Sequence, residues 1–139
     1  MSNQGAMLVR RWFDEVWTQG KADTIDQLRS PDCVVHGLAD GPPLDQNGFK
    51  QFYAAYRNAF PDVSITVEQT VSEGDLVAVR WSGTGTHKGD GLGLPATNKR
   101  AQFKGMTFVR IQNGKLVEGW NIFDQFAMFT QLGIVKLPA

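Results

Sequence analysis

Polar side chains that could do acid/base chemistry stand among aromatic residues near the C-terminus. The segment VEGWNIFDQFAMFTQLG carries Asn121 and Asp124 beside Trp120 and Phe123. A carboxylate in an apolar pocket suits a general base, because desolvation raises its pKa toward the working range. The same carboxylate can instead cap a helix over QFAMFTQLG by accepting hydrogen bonds from its first free amides. Two roles are therefore open for Asp124: helix cap or catalytic acid/base.

His87 is a second candidate for proton transfer. It ends the segment WSGTGTH and shares strand parity with Trp81, Gly83 and Gly85. Small residues beside a tryptophan on one face would leave space for a pocket, and histidine can act as acid or base near neutral pH. The alternative is a histidine at a strand end that bonds the following loop. The sequence has only 2 histidines, His36 and His87. Two histidines without paired carboxylates at ligand spacing do not predict a metal site.

The composition argues against several classes of function. The 14 Lys and Arg residues balance the 14 Asp and Glu residues, so no electrostatic footprint for nucleic acid is expected. Cys33 is the only cysteine, which rules out an internal disulfide and favours a cytoplasmic setting. No run reaches the roughly 18 apolar residues of a membrane span, so no membrane partner is expected. The glycines of DGLGLPATNK do not match a phosphate-binding motif that opens a helix, so we expect no nucleotide cofactor.

The hydrophobic pattern changes from helical to alternating along the chain. Apolar residues at three- and four-residue spacing predict a helix over 7–17. Asp23 is expected to cap a short second helix that ends at Leu28, and Asp45 is expected to cap a third helix. From Val63 onward the pattern alternates as in strands, and the Asn-Gly pair of NGK predicts a tight hairpin. A short strand, CVVHG, precedes the third helix, and a short helix ends at Gly133. Helices followed by hairpin-linked strands favour one α+β domain over 1–139, with the helices on one face of an antiparallel sheet.

Several segments together resemble the SnoaL-like polyketide cyclases, also called ester cyclases, from about Val9 to Gly133. They are VRRWFDEVWTQGKADTIDQL, PDCVVHG, FPDVSITVEQTVSEGDLVAVRWSGTGTHKG, GLPATNKR, FVRIQNGKLVEGW and FDQFAMFTQLG. The resemblance implies the cone-shaped α+β barrel of ketosteroid isomerases, in which a curved sheet wraps an apolar pocket and its outer face often forms a homodimer. Some members close a ring by intramolecular aldol condensation, with an aspartate as acid/base and neither metal nor cofactor.

The resemblance also indicates which residues face the pocket. The catalytic aspartate of the aldol cyclases falls three residues before the aspartate that ends the last strand, and that position here is Asn121. An amide can polarise a carbonyl but cannot take a proton. His36 falls where the family often places a polar residue at the pocket mouth, and Thr107 stands where aldol cyclases carry a larger polar side chain. Aromatic residues that can serve either the core or the pocket complete the set: Trp17, Tyr56, Trp81 and Phe103.

These observations support hypotheses from different classes. The leading one is a cofactor-free enzyme that moves a proton next to the carbonyl of a small apolar compound, with Asp124 or His87 as base and Asn121 or His36 as polariser. The second is a protein that binds a hydrophobic ligand without turnover, because Asn121 replaces the cyclase aspartate. An isomerase, dehydratase or hydrolase on the same scaffold is the third. By the resemblance, we expect a homodimer.

Overall fold

The computed structural model describes residues 4–138 and has the α+β architecture that the pattern predicted. The helices are α1 (Gln4–Arg11), which continues into a π-helical segment (Trp12–Thr18), α2 (Asp23–Leu28), α3 (Gln46–Ala59) and α4 (Gln125–Gln131). The strands are β1 (Arg29–His36), β2 (Ser64–Glu73), β3 (Leu76–Thr86), β4 (Arg100–Gln112) and β5 (Lys115–Phe123). The predicted cap of α3 is confirmed, since the Asp45 carboxylate accepts a hydrogen bond from the Gly48 amide at 2.8 Å.

The strands form one curved, open sheet in the order β1-β5-β4-β3-β2. The pairs β2–β3, β3–β4 and β4–β5 are antiparallel, as the hairpin signals predicted. β1 is parallel to β5, so the sheet departs from the expected antiparallel pairing at this edge. The physical reason is that β1 precedes α3 in the chain and joins the sheet through a long connection, where no hairpin dictates the strand direction.

The β4–β5 hairpin sets the register of the region where the polar candidates lie. Asn113 and Gly114 both have positive φ, 53° and 72°, as predicted for the Asn-Gly turn. The resulting register places Thr107 opposite Asn121 and Gly105 opposite Phe123. Because side chains alternate along a strand, all four residues project from the same face of the sheet. A local turn therefore brings the polar pair Thr107–Asn121 together.

The two faces of the sheet have different surroundings. On the inner face, Val79, Trp81, Thr107 and Val109 are buried, and the π-helical segment and α1 pack on β2 and β3 while α3 lies beside β1. On the outer face, large apolar side chains are exposed: Met106, Phe108 and Ile122. The hydrophobic core therefore lies between the helices and the inner face of the sheet.

Candidate functional site

An apolar cavity of about 110 Å³ lies between the helices and the inner face of the sheet. Its wall is built by α1, the π-helical segment, α3 and all five strands. The lining includes the four aromatic residues that were predicted for the pocket: Trp17, Tyr56, Trp81 and Phe103. The space exceeds what a single water needs, and a mainly apolar wall with a few polar groups is typical of a small-molecule site.

A chain of hydrogen bonds crosses the wall of this cavity. The indole Nε1 of Trp81 donates to Oγ1 of Thr107 at 3.1 Å, and the Thr107 hydroxyl donates to Oδ1 of Asn121 at 2.7 Å. Nδ2 of Asn121 then donates to the carbonyl oxygen of His36 at 3.2 Å. These bonds hold the Asn121 amide in one orientation and use one of its two N–H groups. The second N–H is available to a ligand carbonyl.

Gly105 makes room for the first member of this chain. It lies opposite Trp81 in β3 and opposite Phe123 in β5. A Cβ at this position would approach Cζ2 of Trp81 to 2.3 Å and Cβ of Phe123 to 2.9 Å. Any larger residue would push the indole away from Thr107. The glycine is therefore needed for the packing of Trp81 across the sheet.

Tyr56 brings a phenol from α3 to the cavity wall. Its oxygen accepts a hydrogen bond from Nε2 of Gln125 at 3.2 Å, and its ring packs edge-on against Phe123 with centroids 6.0 Å apart. Burial raises the pKa of the Tyr56 phenol, although the bond from Gln125 opposes this, so the group stays protonated at neutral pH. Its hydroxyl proton has no acceptor in the part of the chain that the structure describes, and it can be donated to a ligand.

Asp124 lies outside the cavity and caps α4. Its Oδ1 accepts a hydrogen bond from the Ala127 amide at 2.9 Å, and its side chain is exposed. β5 ends at Phe123, so Asp124 no longer follows the alternation that directs Asn121 inward. Of the two roles left open by the sequence, the geometry supports the cap. A general base in the pocket would need desolvated surroundings, and the exposed Asp124 carboxylate does not have them.

His87 is fully buried but does not line the cavity. Its Nδ1 accepts a hydrogen bond from the Thr97 amide at 3.2 Å and lies 3.1 Å from Oγ1 of the same residue. Its backbone pairs with Lys99 and Asn98 across the same loop. The ring packs against Phe60 with centroids 5.5 Å apart. The structure therefore favours the alternative in which His87 anchors the loop, over a direct acid/base role.

The glycines beside His87 accommodate core side chains instead of opening a pocket. A Cβ on Gly83 would lie 2.6 Å from Cδ1 of Ile65. One on Gly85 would lie 3.1 Å from Cβ of Phe60. Both spaces are therefore filled from the neighbouring strand β2 and from the end of α3. The interpretation of small residues as free space was wrong at these positions.

His36 projects from the outer face of the sheet, so its expected place at the pocket mouth is wrong. Its ring stacks on Trp120, with centroids 5.5 Å apart and planes 7° from parallel, and its Nε2 lies 2.7 Å from Oε2 of Glu118. Parallel pairing places His36 directly beside Trp120. Only the backbone carbonyl of His36 reaches the cavity chain, where it holds Asn121.

The sequence interpretation missed two charged residues of the lining, Arg29 and Glu118. Arg29 is only 2% exposed, donates from Nη2 to the carbonyl oxygen of Cys33, and has its guanidinium carbon 5.3 Å from the centre of the Phe49 ring. Burial lowers the pKa of the Arg29 guanidinium, which still remains protonated at neutral pH. Arg29 was missed because nothing in the sequence around the start of β1 indicated that an arginine at this position would be buried.

Glu118 is the single acidic residue among the described residues that line the cavity. The β4–β5 register shifts between the pairs Arg110–Glu118 and Ile111–Leu116, a bulge that leaves Val117 unpaired. Glu118 precedes Trp120 by two positions and pairs with Arg110, so its side chain leaves β5 on the outer face, where its carboxylate contacts His36. Glu118 therefore belongs to the wall of the cavity, but its carboxylate lies beside His36 on the other side of the sheet.

Residues 4–138 contain neither a candidate metal site nor a helix that could span a membrane. No three side chains of His, Cys, Asp or Glu in this range come together in a group that could hold a metal ion. No helix in the same range is both long and apolar enough to cross a membrane.

Solved structures with related sequences share this fold over nearly the whole chain. IdmH from Streptomyces antibioticus, a proposed polyketide cyclase, is 30% identical over 94% of this chain and 99% of its own, with a TM-score of 0.83. A proposed polyketide cyclase from Acidithiobacillus ferrooxidans is 30% identical over 96% of each chain, with a TM-score of 0.84. A Catenulispora acidiphila protein with a ketosteroid isomerase-like fold shares 17% identity over 94% of this chain and 97% of its own, at a TM-score of 0.75, which shows the fold alone.

Comparison at the level of sequence agrees with the structural neighbours. No curated protein is significantly similar in sequence. The family model of the SnoaL-like polyketide cyclases, however, matches residues 7–132, which is most of the chain. The protein therefore belongs to the SnoaL-like polyketide cyclase family.

Proposed function

We propose that the protein closes a ring in a small hydrophobic carbonyl compound that binds in the cavity, without a cofactor. Membership of the SnoaL-like polyketide cyclase family supports a cyclase-like function. The observation that carries the proposal is the hydrogen-bonded chain Trp81–Thr107–Asn121, with the phenol of Tyr56, in an otherwise apolar cavity. Oriented donors in a site of low dielectric stabilise negative charge that develops on a carbonyl oxygen.

An aldol ring closure assigns a task to each of these groups. A base takes a proton from the carbon next to one carbonyl, and the bonding electrons form an enolate. The enolate carbon then attacks a second carbonyl of the same molecule, a carbon–carbon bond forms, and the new alkoxide receives the proton. Asn121 and Tyr56 hold the oxygens on which charge develops. Substrate and product have the same atoms, so no co-reactant is needed.

Glu118 is the proposed proton acceptor, because Asn121 cannot take a proton and Asp124 is a helix cap. It is the one acidic residue among the described residues of the lining, and its carboxylate, which contacts His36 at 2.7 Å on the outer side of the sheet, would turn toward the cavity to take the proton. Because His36 and Glu118 are each about one-third exposed, 32% and 33%, a proton can also exchange with solvent. The pair would act as the acid/base of the ring closure.

The test uses a short aliphatic 1,5-diketone, which can close to a six-membered ring by this reaction. The expected result is that the cyclic aldol product accumulates above the rate in buffer, measured by NMR. Replacing Glu118→Gln should lower this rate about a hundredfold or more, since a positioned acid/base contributes at least that factor. Asp124→Asn is the matched control and should leave the rate unchanged, because asparagine also caps helices. A rate insensitive to Glu118→Gln would refute the assigned base.

A second candidate function is the binding of a hydrophobic carbonyl compound without turnover. The observation that favours it is that Glu118, the one acidic residue of the lining within residues 4–138, directs its carboxylate to His36, while Asn121 offers only an amide. In this case the diketone would bind to the protein and shift its NMR signals, but no cyclic product would form. Turnover of the bound compound would exclude this candidate.

We also propose that a second copy of the chain covers the outer face of the sheet. Met106 and Ile122 are neighbours in adjacent strands and are 63% and 80% exposed, and Phe108 beside Trp120 is 55% exposed. Contiguous apolar side chains of this size are typical of interaction surfaces. The contact would leave the cavity on the opposite face open to its ligand.

A further inference from the structure

Arg29 lies at a point where β1 departs from its partner strand. It pairs with Leu116 of β5, and the next pair along the ladder is Val34 with Glu118. β1 therefore has four residues between these two pairs, whereas β5 has only one. The extra residues of β1 bulge out of the ladder. The Arg29 side chain turns back over this segment, where its Nη2 donates to the Cys33 carbonyl oxygen.

Most of the hydrogen-bonding capacity of Arg29 is unused. A guanidinium has five N–H groups, and the bond to Cys33 uses one of them. Nε and Nη1 are shielded from solvent and have no acceptor within residues 4–138. A donor that has lost water without gaining a partner destabilises the fold. The arrangement is therefore unfavourable unless an acceptor arrives from the cavity that Arg29 lines.

The positive charge of Arg29 is also not neutralised. No carboxylate of the described chain lies within the 4.0 Å of an ion pair with it. Asp26 and Asp45 act on it only from longer range. Asp26 pairs with Lys50 at 2.9 Å, and Asp45 caps α3 through the Gly48 amide at 2.8 Å. The Phe49 ring at 5.3 Å provides only a weak cation–π contact.

We propose that Arg29 binds a carboxylate carried by the ligand, so that the natural substrate is a hydrophobic carboxylic acid. Guanidinium and carboxylate match in shape and charge, and two N–H groups of Arg29 can bond both carboxylate oxygens. This inference rests on the proposed function, since it takes the cavity as the ligand site, and it adds the chemical class of the substrate.

The positions of Arg29 and Asn121 place the carboxylate and the reacting carbonyl at opposite ends of the ligand. Arg29 is opposite Leu116, and Asn121 stands five positions further along β5. At the usual rise of a strand, their backbones are at most about 17 Å apart. The long arginine side chain shortens the span that the ligand has to bridge. The substrate would be an elongated keto acid with its apolar body between the aromatic walls.

The test compares an anion with its neutral ester in three proteins. The probes are trans-cinnamate and methyl cinnamate, and dissociation constants are measured by titration calorimetry at neutral pH. The wild type should bind cinnamate at least tenfold more tightly than the ester. Arg29→Met should lose this preference while it binds the ester within twofold of the wild type, and Arg29→Lys should keep part of it. Arg100→Met, which removes an exposed arginine, is the matched control and should keep the full preference.

Thermal unfolding distinguishes a ligand-binding arginine from a structural one. Because an unpaired buried cation is unfavourable, Arg29→Met should melt at the same temperature as the wild type or higher. A midpoint several degrees lower would show that the contacts with Cys33 and Phe49 hold the fold, and would overturn the proposal. Equal binding of acid and ester by the wild type would also overturn it, while leaving the proposed carbonyl site intact. Failure to bind either probe would count against both proposals.

Discussion

Thr107 occupies the centre of the hydrogen-bonded chain that crosses the cavity wall. Its hydroxyl accepts from Trp81 and donates to Asn121, and the residue is buried. A hydroxyl can accept one hydrogen bond and donate another at the same time, whereas an apolar side chain of the same shape can do neither. The position of the Asn121 amide consequently depends on one oxygen atom of its neighbour.

Replacing Thr107→Val should therefore separate packing from hydrogen bonding. The valine fills the same volume but leaves the Trp81 indole N–H and the Asn121 Oδ1 without partners. We expect the free energy of unfolding in urea to fall by about 1–3 kcal/mol, and the diketone reaction to slow. Thr107→Ser keeps the hydroxyl and should retain most of the reaction rate. A valine variant as active as the wild type would contradict the role of the chain.

At the scale of secondary-structure elements, Asp62 joins the segment after α3 to the end of β3. Its two carboxylate oxygens accept hydrogen bonds from the amide and the hydroxyl of Thr86, each at 2.7 Å. Partial burial acts to raise the pKa of this carboxyl, but the bonds from Thr86 outweigh it, so the pKa lies below its usual value. The lowered pKa means that folding favours the charged form.

This shift predicts how stability depends on pH. A carboxyl whose pKa is lower in the folded state contributes stability above its unfolded pKa of about 3.9, and the contribution is lost as the pH falls through the folded value. Asp62→Asn should therefore be less stable than the wild type at neutral pH, and the difference should shrink in acid. Urea midpoints at several pH values measure this. The exposed Asp40→Asn is the control; a constant difference for Asp62→Asn at all pH values would contradict the prediction.

At the scale of the whole molecule, the sheet separates two surfaces of different character. Its inner face lines the apolar cavity, and its outer face exposes apolar side chains such as Ile122. Adjacent positions in β5 belong to opposite faces, since Asn121 points inward and Ile122 points outward. A change on the outer face can therefore be made without touching the cavity.

The proposed dimer is tested with Ile122→Lys. A charge in the centre of an apolar contact is expected to dissociate it, because the lysine would be desolvated without a partner. Light scattering coupled to gel filtration should give the mass of two chains for the wild type and of one chain for the variant. Met7→Lys, at a residue of α1 that is 66% exposed, should leave the dimer intact. A wild type that elutes as a monomer would exclude the interface.

Local signals were enough to predict the elements and part of their arrangement. The apolar spacing of α3, its cap Asp45 and the turn at Asn113 and Gly114 were predicted correctly, because each depends on residues within a few positions of one another. In the structure this turn sets the register of the hairpin, and the pairing of Thr107 with Asn121, which was not predicted, results from it. The resemblance to the SnoaL-like family likewise predicted the overall fold.

Contacts between distant parts of the chain decided what remained. Asp124 is a cap because β5 ends before it, and His36 faces outward because β1 pairs with β5 in a register that no local pattern records. Asn121 is held by the carbonyl of a residue 85 positions away. The sequence by itself determined the elements and the hairpins, since short-range sterics and periodicity govern them, and the resemblance of its motifs to known members indicated the family. Only the tertiary structure decided which polar groups share the cavity, and it alone revealed the buried, unpaired Arg29.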